Sequence, residues 1–218
     1  MPVQAPPEGF ESRVARTLSS FELPSVAPEV VSRLVAYCDL VVTWNQRVDL
    51  TAARSADELV DLLLADAVAI ASLTRAVPEE RWFDVGSGVG APGIPLALLL
   101  PMKMTLIEPR NKRVAFLRTA AGSLRRPDIS VSRSRSDEFA AASCEVAVSR
   151  ATLPPPEWLM EGVRLATRSV WLLLAKAGVP ELDGRRISAD ISYAWPLTGV
   201  QRRAVCVSTE SLRDATKT

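Results

Sequence analysis

Among 218 residues there is no histidine. That absence removes the side chain most often used as a general base near neutral pH. It also removes Ser-His nucleophilic pairs and histidine metal ligands. Cysteine is scarce: Cys38, Cys144 and Cys206 stand far apart, so there is no Cys-x-x-Cys redox or zinc spacing. Isolated cysteines usually behave as small buried hydrophobes, and a reduced intracellular setting is expected. Aromatic residues make up only 6% of the chain, so Leu, Val and Ala must build the core. No apolar run approaches the roughly 20 residues of a membrane helix; the best, Ile94 to Met102, carries two prolines. The first residues, MPVQAPPEGFES, have neither a basic nor an apolar signal region, so no secretory signal is expected. These absences lead to the expectation of a cytoplasmic protein with no metal and no membrane contact; a monomer is expected.

Charge is balanced overall, at +1, but unevenly placed. Residues 1–109 hold 8 basic and 14 acidic residues, residues 110–135 hold 8 and 1, and residues 136–218 hold 10 of each. The basic stretch comprises Arg110, Lys112, Arg113, Arg118, Arg125, Arg126, Arg133 and Arg135. It is either a solvated helix face or a surface for a polyanion.

Residues 1–10 read as a loose tail. From Phe10 to about Val77 the apolar spacing is helical: Val30, Val31, Leu34, Val35 and Cys38, then Leu59, Val60, Leu63, Leu64, Ala67 and Val68. Pro28 suits a first helical turn, and Ser55 with Glu58 reads as a capping box. From Arg81 onward short strands alternate with helices, with strands near 82–85, 104–107, 129–132, 146–148 and 170–174. Two more, near 191–194 and 204–208, are expected to form an antiparallel edge pair. This pattern predicts an α/β fold with a doubly wound, mostly parallel sheet. The chain divides into a helical extension, 1–77, and a sheet-bearing core, 78–218.

The most informative segment is Asp84-Val-Gly86-Ser-Gly88-Val-Gly90-Ala91-Pro-Gly93. It follows a predicted strand and precedes a predicted helix, and its glycines permit a sharp turn and close approach to a ligand. Glu108 ends the next strand, where a carboxylate can accept from ribose hydroxyls. Asp84 argues against a dinucleotide, whose pyrophosphate it would repel. It favours S-adenosylmethionine, which carries an ammonium and a sulfonium and no phosphate. A nicotinamide or flavin site and a purely structural turn are the alternatives. Ser136 and Asp137, after the third strand, could bond adenine or cap a short helix. Arg150 closes the fourth strand, at the end of the sheet that faces a ligand crevice.

The acceptor is approached by elimination. No Asp/Asn/Ser-Pro-Pro-aromatic loop follows the fourth strand, as amino-methylating enzymes usually require; Leu153-Pro154-Pro155-Pro156 reads instead as a helix entry. No cysteine sits in a Pro-Cys context. An acceptor with a free lone pair, such as guanine N7, needs positioning and no proton removal.

The chain resembles the RsmG/GidB family of bacterial small-subunit (16S) ribosomal RNA guanine-N7 methyltransferases. The marks run from Trp44-Asn45 and Asp49-Leu50-Thr51 through Asp66, the glycine segment with its Pro-Gly-Ile-Pro ending, and Lys112-Arg113-Val-Ala-Phe-Leu-Arg118. They continue with Ser134-Arg135, Ser149-Arg150-Ala151, Lys176 and Arg202. The resemblance implies a Rossmann-like class I S-adenosylmethionine-dependent methyltransferase with an N-terminal helical extension. It implies cofactor contacts at Gly86, Ala91, Ser136, Asp137 and Arg150, beside Asp84, Gly88 and Glu108 from the residue argument. Lys112, Arg113, Arg135 and Arg202 would serve the ribosomal RNA or particle. The sequence departs from the family's His-x-x-Asp-Ser at Leu63 and Ala67, and Asp49 and Arg203 replace a common Asn and His. Two other functions remain: a small-molecule methyltransferase, and a diverged cofactor-binding protein without turnover.

Overall fold

The computed structural model describes residues 3–211. Its elements are α1 (Glu11–Ser19), α2 (Pro28–Asn45), α3 (Ala56–Val60), a π-helical turn (Asp61–Ala65), α4 (Asp66–Leu73), β1 (Arg81–Val85), α5 (Gly93–Leu99) and β2 (Lys103–Ile107). There follow α6 (Asn111–Ser123), β3 (Ile129–Ser132), β4 (Cys144–Ser149), α7 (Pro155–Leu165), β5 (Ala166–Leu174), β6 (Arg185–Ala194) and β7 (Gln201–Ser211). The strands form one sheet in the order β3-β2-β1-β4-β5-β7-β6. The first five are parallel; β7 runs antiparallel to both β5 and β6. The order reverses between β1 and β4, which opens a crevice at their carboxyl ends.

Helices on both faces explain why β1 and β4 read as nearly continuous apolar runs; Trp82 through Val85 are all buried. The outermost strand, β6, is mostly exposed and carries Arg185, Arg186 and Asp190, charges typical of a sheet edge. Pro28 occupies the first turn of α2, and Pro155 and Pro156 open α7. Ser55 Oγ accepts from the Glu58 amide at 3.1 Å, but the Glu58 carboxylate returns to the amide of Arg54 at 2.8 Å, one residue before the expected partner.

The structure corrects the reading of the first residues. Residues 3–10 are no loose tail, because Val3 and Phe10 are buried in the core; the first two residues lie outside the described residues. The helices before β1 pack directly onto the sheet-bearing part. One hydrophobic cluster joins Phe10, Tyr37, Leu63 and Ile70 to Trp82, Ile94, Phe116 and Trp171. Truncating a fully buried aromatic such as Trp82 to alanine is expected to cost about 3–5 kcal/mol.

Candidate active site

A cavity of about 440 Å³ lies at the carboxyl ends of β1 and β4. Gly86 through Val89 and Ala91 line it from the loop after β1, and Glu108, Arg110 and Arg113 from beyond β2. Arg150, Ala151 and Thr152 contribute from the end of β4, and Leu50, Thr51, Ala52 and Leu62 from the N-terminal segment.

The glycine loop is held from several sides. The amides of Gly86 and Ser87 donate to the Ile107 carbonyl at 2.9 and 3.1 Å, and Tyr37 Oη donates to the Val89 carbonyl at 2.7 Å. Ser149 Oγ and Thr152 Oγ1 both donate to the Val85 carbonyl, at 2.8 and 3.0 Å. Gly86 has φ +71°, and a Cβ there would lie 2.1 Å from Thr152 Oγ1. Backbone sterics and packing therefore both require glycine.

Two buried carboxylates organise this loop. Glu108 accepts from the Gly88 amide through Oε2 and from the Arg110 amide through Oε1, each at 2.9 Å. Both oxygens are thereby oriented, and their remaining lone pairs can take ligand hydroxyls. Asp84 lies behind the loop rather than on the cavity surface. Its Oδ2 accepts from the Gly93 amide at 3.0 Å, while Oδ1 is buried with no hydrogen-bond partner among the described residues. Burial pushes its carboxyl up to about 7, against the Gly93 hydrogen bond and the charge of Arg150, which lower it.

Arg150 is fixed by a network the sequence does not display. Its Nη1 donates to the Leu62 carbonyl at 2.5 Å and to Asp66 Oδ2 at 3.1 Å. Leu62 sits in the π-helical turn, where the wider winding departs from the usual ladder. The other oxygen of Asp66 accepts from Tyr193 Oη at 2.8 Å and Trp195 Nε1 at 3.0 Å. The Arg202 guanidinium lies 4.1 Å from the Trp195 ring centre. Asp61 accepts from the Leu197 and Thr198 amides and Thr198 Oγ1, fastening the β6–β7 turn to the same helical stretch. Burial raises the Asp61 carboxyl despite those bonds. Ala151, immediately after Arg150, takes the left-handed φ of +55°.

Of the expected cofactor residues, Gly86, Gly88, Ala91, Glu108 and Arg150 line the cavity, and Asp84 supports it. Ser136 and Asp137 do not line it. They belong to the 3-10 turn Ser136–Glu138 that follows β3, the edge strand paired with β2. Asp137 is exposed beside Arg135, and the Ser136 carbonyl accepts from Arg164 Nη2 at 2.8 Å. Arg113, expected on the RNA side, lines the cavity itself, whereas Lys112 and Arg135 are exposed and Arg202 is half-buried. The wall at Leu50–Ala52 was not expected as part of the site. Asn45 Oδ1 shapes it by accepting from the Leu50 and Thr51 amides at 2.9 and 3.0 Å. The paired appearance of Trp44-Asn45 and Asp49-Leu50-Thr51 among the resemblance marks was its only signal.

Residues 30–179 match the family described as GidB, rRNA small subunit methyltransferase G. A protein of Bordetella pertussis named ribosomal RNA small subunit methyltransferase G is 30% identical over 187 residues, covering 80% of this chain and 79% of the relative. One of the same name from Pseudomonas aeruginosa is 39% identical over 108 residues, covering 49% and 50%. The chain thus spans about half the length of the Pseudomonas relatives it matches. The fold is similar to geranyl diphosphate C-methyltransferase from Streptomyces coelicolor, with TM-score 0.56 and 11% identity over 86% of this chain and 100% of that one. It is also similar to magnesium protoporphyrin IX methyltransferase from Synechocystis, with TM-score 0.50 and 15% identity over 91% and 92%. At these identities the likeness is one of fold, the Rossmann-like class I methyltransferase sheet.

Proposed function

The chain belongs to the rRNA small subunit methyltransferase G family, and from that premise we propose that it is an S-adenosylmethionine-dependent methyltransferase acting on guanine N7 in small-subunit ribosomal RNA. Its work is then cytoplasmic, on free RNA or a ribosomal particle. The observation that carries the reading is the cavity at the strand-order reversal. There Glu108 is presented by the Gly88 amide, and Arg150 stands across the loop.

The residues present fit the cofactor. The cavity is of ordinary small-ligand size, and Glu108 offers acceptors for ribose hydroxyls. Asp84, behind the loop with Oδ1 unpartnered, places a carboxylate close to the cavity, where its charge favours a cationic group. When bound, S-adenosylmethionine would supply a sulfonium methyl that a lone pair can attack, the S–CH3 bond breaking and S-adenosylhomocysteine leaving. Arg150, permanently charged and held by Asp66 and the Leu62 carbonyl, orients what enters beside it. No residue is assigned as a base, because guanine N7 carries no proton; the catalytic contribution is positioning. Exposed Lys112 and Arg135, with Arg202 above Trp195, serve the RNA. Arg113 stands where cofactor and RNA meet.

Leu63 and Ala67 do not argue for a protein without turnover. Both are buried in apolar surroundings, and Asp66 is satisfied without them by Arg150, Tyr193 and Trp195. The test uses methyl-labelled S-adenosylmethionine with small-subunit RNA and particles, the product being mapped by RNA mass spectrometry. One labelled 7-methylguanosine is expected. Cofactor binding with no label in RNA would point to a small-molecule acceptor or to lost turnover.

A further inference from the structure

A second cavity, of about 320 Å³, lies at the opposite end of the sheet. Trp82 near the start of β1, Arg168 and Ser169 early in β5, Ser208 late in antiparallel β7 and Arg186 in β6 all reach it, with Arg75 just after α4. It is one strand length, roughly 17 Å for five residues, from the cofactor end.

Three arginines line this cavity and no carboxylate does. Glu80, which contacts two of the lining residues, is engaged already: its Oε1 pairs with Arg168 Nη2 at 2.5 Å and its Oε2 accepts from Trp82 Nε1 at 2.8 Å. Arg75 and Arg186 are exposed and have no hydrogen-bond or ion-pair partner among the described residues. They come from elements more than a hundred residues apart, so no run of basic sequence brings them together. Guanidinium groups keep their charge at every working pH and match phosphate oxygens in a planar fork. Arg168 is answered by Glu80, and the two remaining cations, with no internal anion, favour an external one.

We propose that this cavity is a second RNA-contact site, taking backbone phosphates of the substrate RNA between Arg75 and Arg186. The proposal rests on the RNA-substrate reading above. The groove is open, with both guanidinium groups exposed, as passage of a continuous strand requires. A ribosomal substrate presents phosphates on many sides, so contacts at both ends of the sheet are compatible with one particle. Because the contacts are electrostatic, they hold the RNA without reading its sequence.

The test is the salt dependence of affinity for small-subunit RNA, measured with wild type and with the double variant Arg75→Ala, Arg186→Ala. The melting temperature serves as the check of folding. Each lost phosphate contact should make the slope of log affinity against log salt shallower by roughly 0.7–0.9. Arg75→Lys with Arg186→Lys should restore most of the slope, since a point charge still displaces counterions. An unchanged slope in a folded alanine variant overturns the proposal. So does protection of the cavity by inorganic phosphate with the RNA slope unchanged, which would make the ligand a free anion. If wild type itself fails to bind the RNA, the RNA-substrate reading falls first; if wild type binds and only the slope difference is missing, that reading stands and this one falls.

Discussion

At the carboxyl end of the sheet, the buried carboxylates Glu108 and Asp66 have both oxygens answered, while Asp84 keeps one oxygen without a partner. Glu108 holds two backbone amides, and Asp66 holds Arg150, Tyr193 and Trp195. At the amino end, Arg75 and Arg186 are exposed and unanswered among the described residues. The two arrangements suit different tasks. Buried, pre-oriented charges hold a small ligand in one pose. Exposed arginines can follow a flexible polyanion at little desolvation cost. One end is built for geometry, the other for adhesion.

Deleting a buried partner is the harshest way to break this contrast. Asp66→Ala leaves Arg150 without its carboxylate and two donors without an acceptor. Removing one member of a buried pair costs about 3–5 kcal/mol, and the lower figure is expected, because a fifth of the Arg150 side chain still meets water. Urea denaturation measures it. A loss below about 0.5 kcal/mol, the level of an ordinary surface substitution, would mean that the two ends do not differ.

Glu108→Gln sharpens the contrast within the site. One carboxylate oxygen becomes an amide facing a backbone N–H, so an oriented acceptor is lost. S-adenosylmethionine affinity should fall by roughly 10–100-fold, the worth of a charged hydrogen bond. Calorimetry reads it directly.

Asp84 should show itself through pH. Its carboxyl titrates near 7 because burial disfavours the charge. Below that pH it is neutral and attracts a cationic ligand less, so cofactor affinity should fall as pH drops from 8 to 6 and binding near pH 7 should release protons. Asp84→Asn should abolish both effects. The sign for stability is opposite. A folded value raised above the unfolded one stabilises the cofactor-free protein below about 4, and that contribution is lost as pH rises to 7. Asp84→Asn should therefore raise the melting temperature at pH 8 and bring no such gain at pH 4.

The smallest effect is expected at the edge of the sheet. Asp137→Ala removes an exposed residue that does not line the cavity. Its effect on stability should stay within about 0.5 kcal/mol, and cofactor affinity should change less than for any of the other variants. A loss as large as that of Glu108→Gln would place Asp137 at the bound cofactor, as the resemblance implies.

The sequence made the sheet legible because strand, glycine loop and helix follow one another locally. Asp84, Gly86, Gly88 and Glu108 lie within 25 residues, and their spacing carries their roles. Arg150 was legible as a strand-end residue, but its partner was not, since Asp66 lies 84 residues away. No periodicity announces the π-helical turn that brings the Leu62 carbonyl to Arg150. Tyr193 reads as an edge-strand residue, and Trp195 just past it, until the hairpin folds back over α4. Arg113 looked like part of a basic face because its charge is visible in sequence and its direction is not. The arginine cavity was illegible for the same reason, its arginines coming from the segment after α4, from β5 and from β6, which only the fold brings together.

The central claim is that this protein positions a methyl donor against a lone pair and removes no proton in the transfer step. Single-turnover methyl transfer to small-subunit RNA, with saturating S-adenosylmethionine, tests it most directly. The rate should be nearly flat from pH 6 to 8, with 7-methylguanosine as product, even though cofactor affinity changes across the same range. A tenfold rise in rate per pH unit would reveal a proton-abstracting base and contradict transfer to guanine N7.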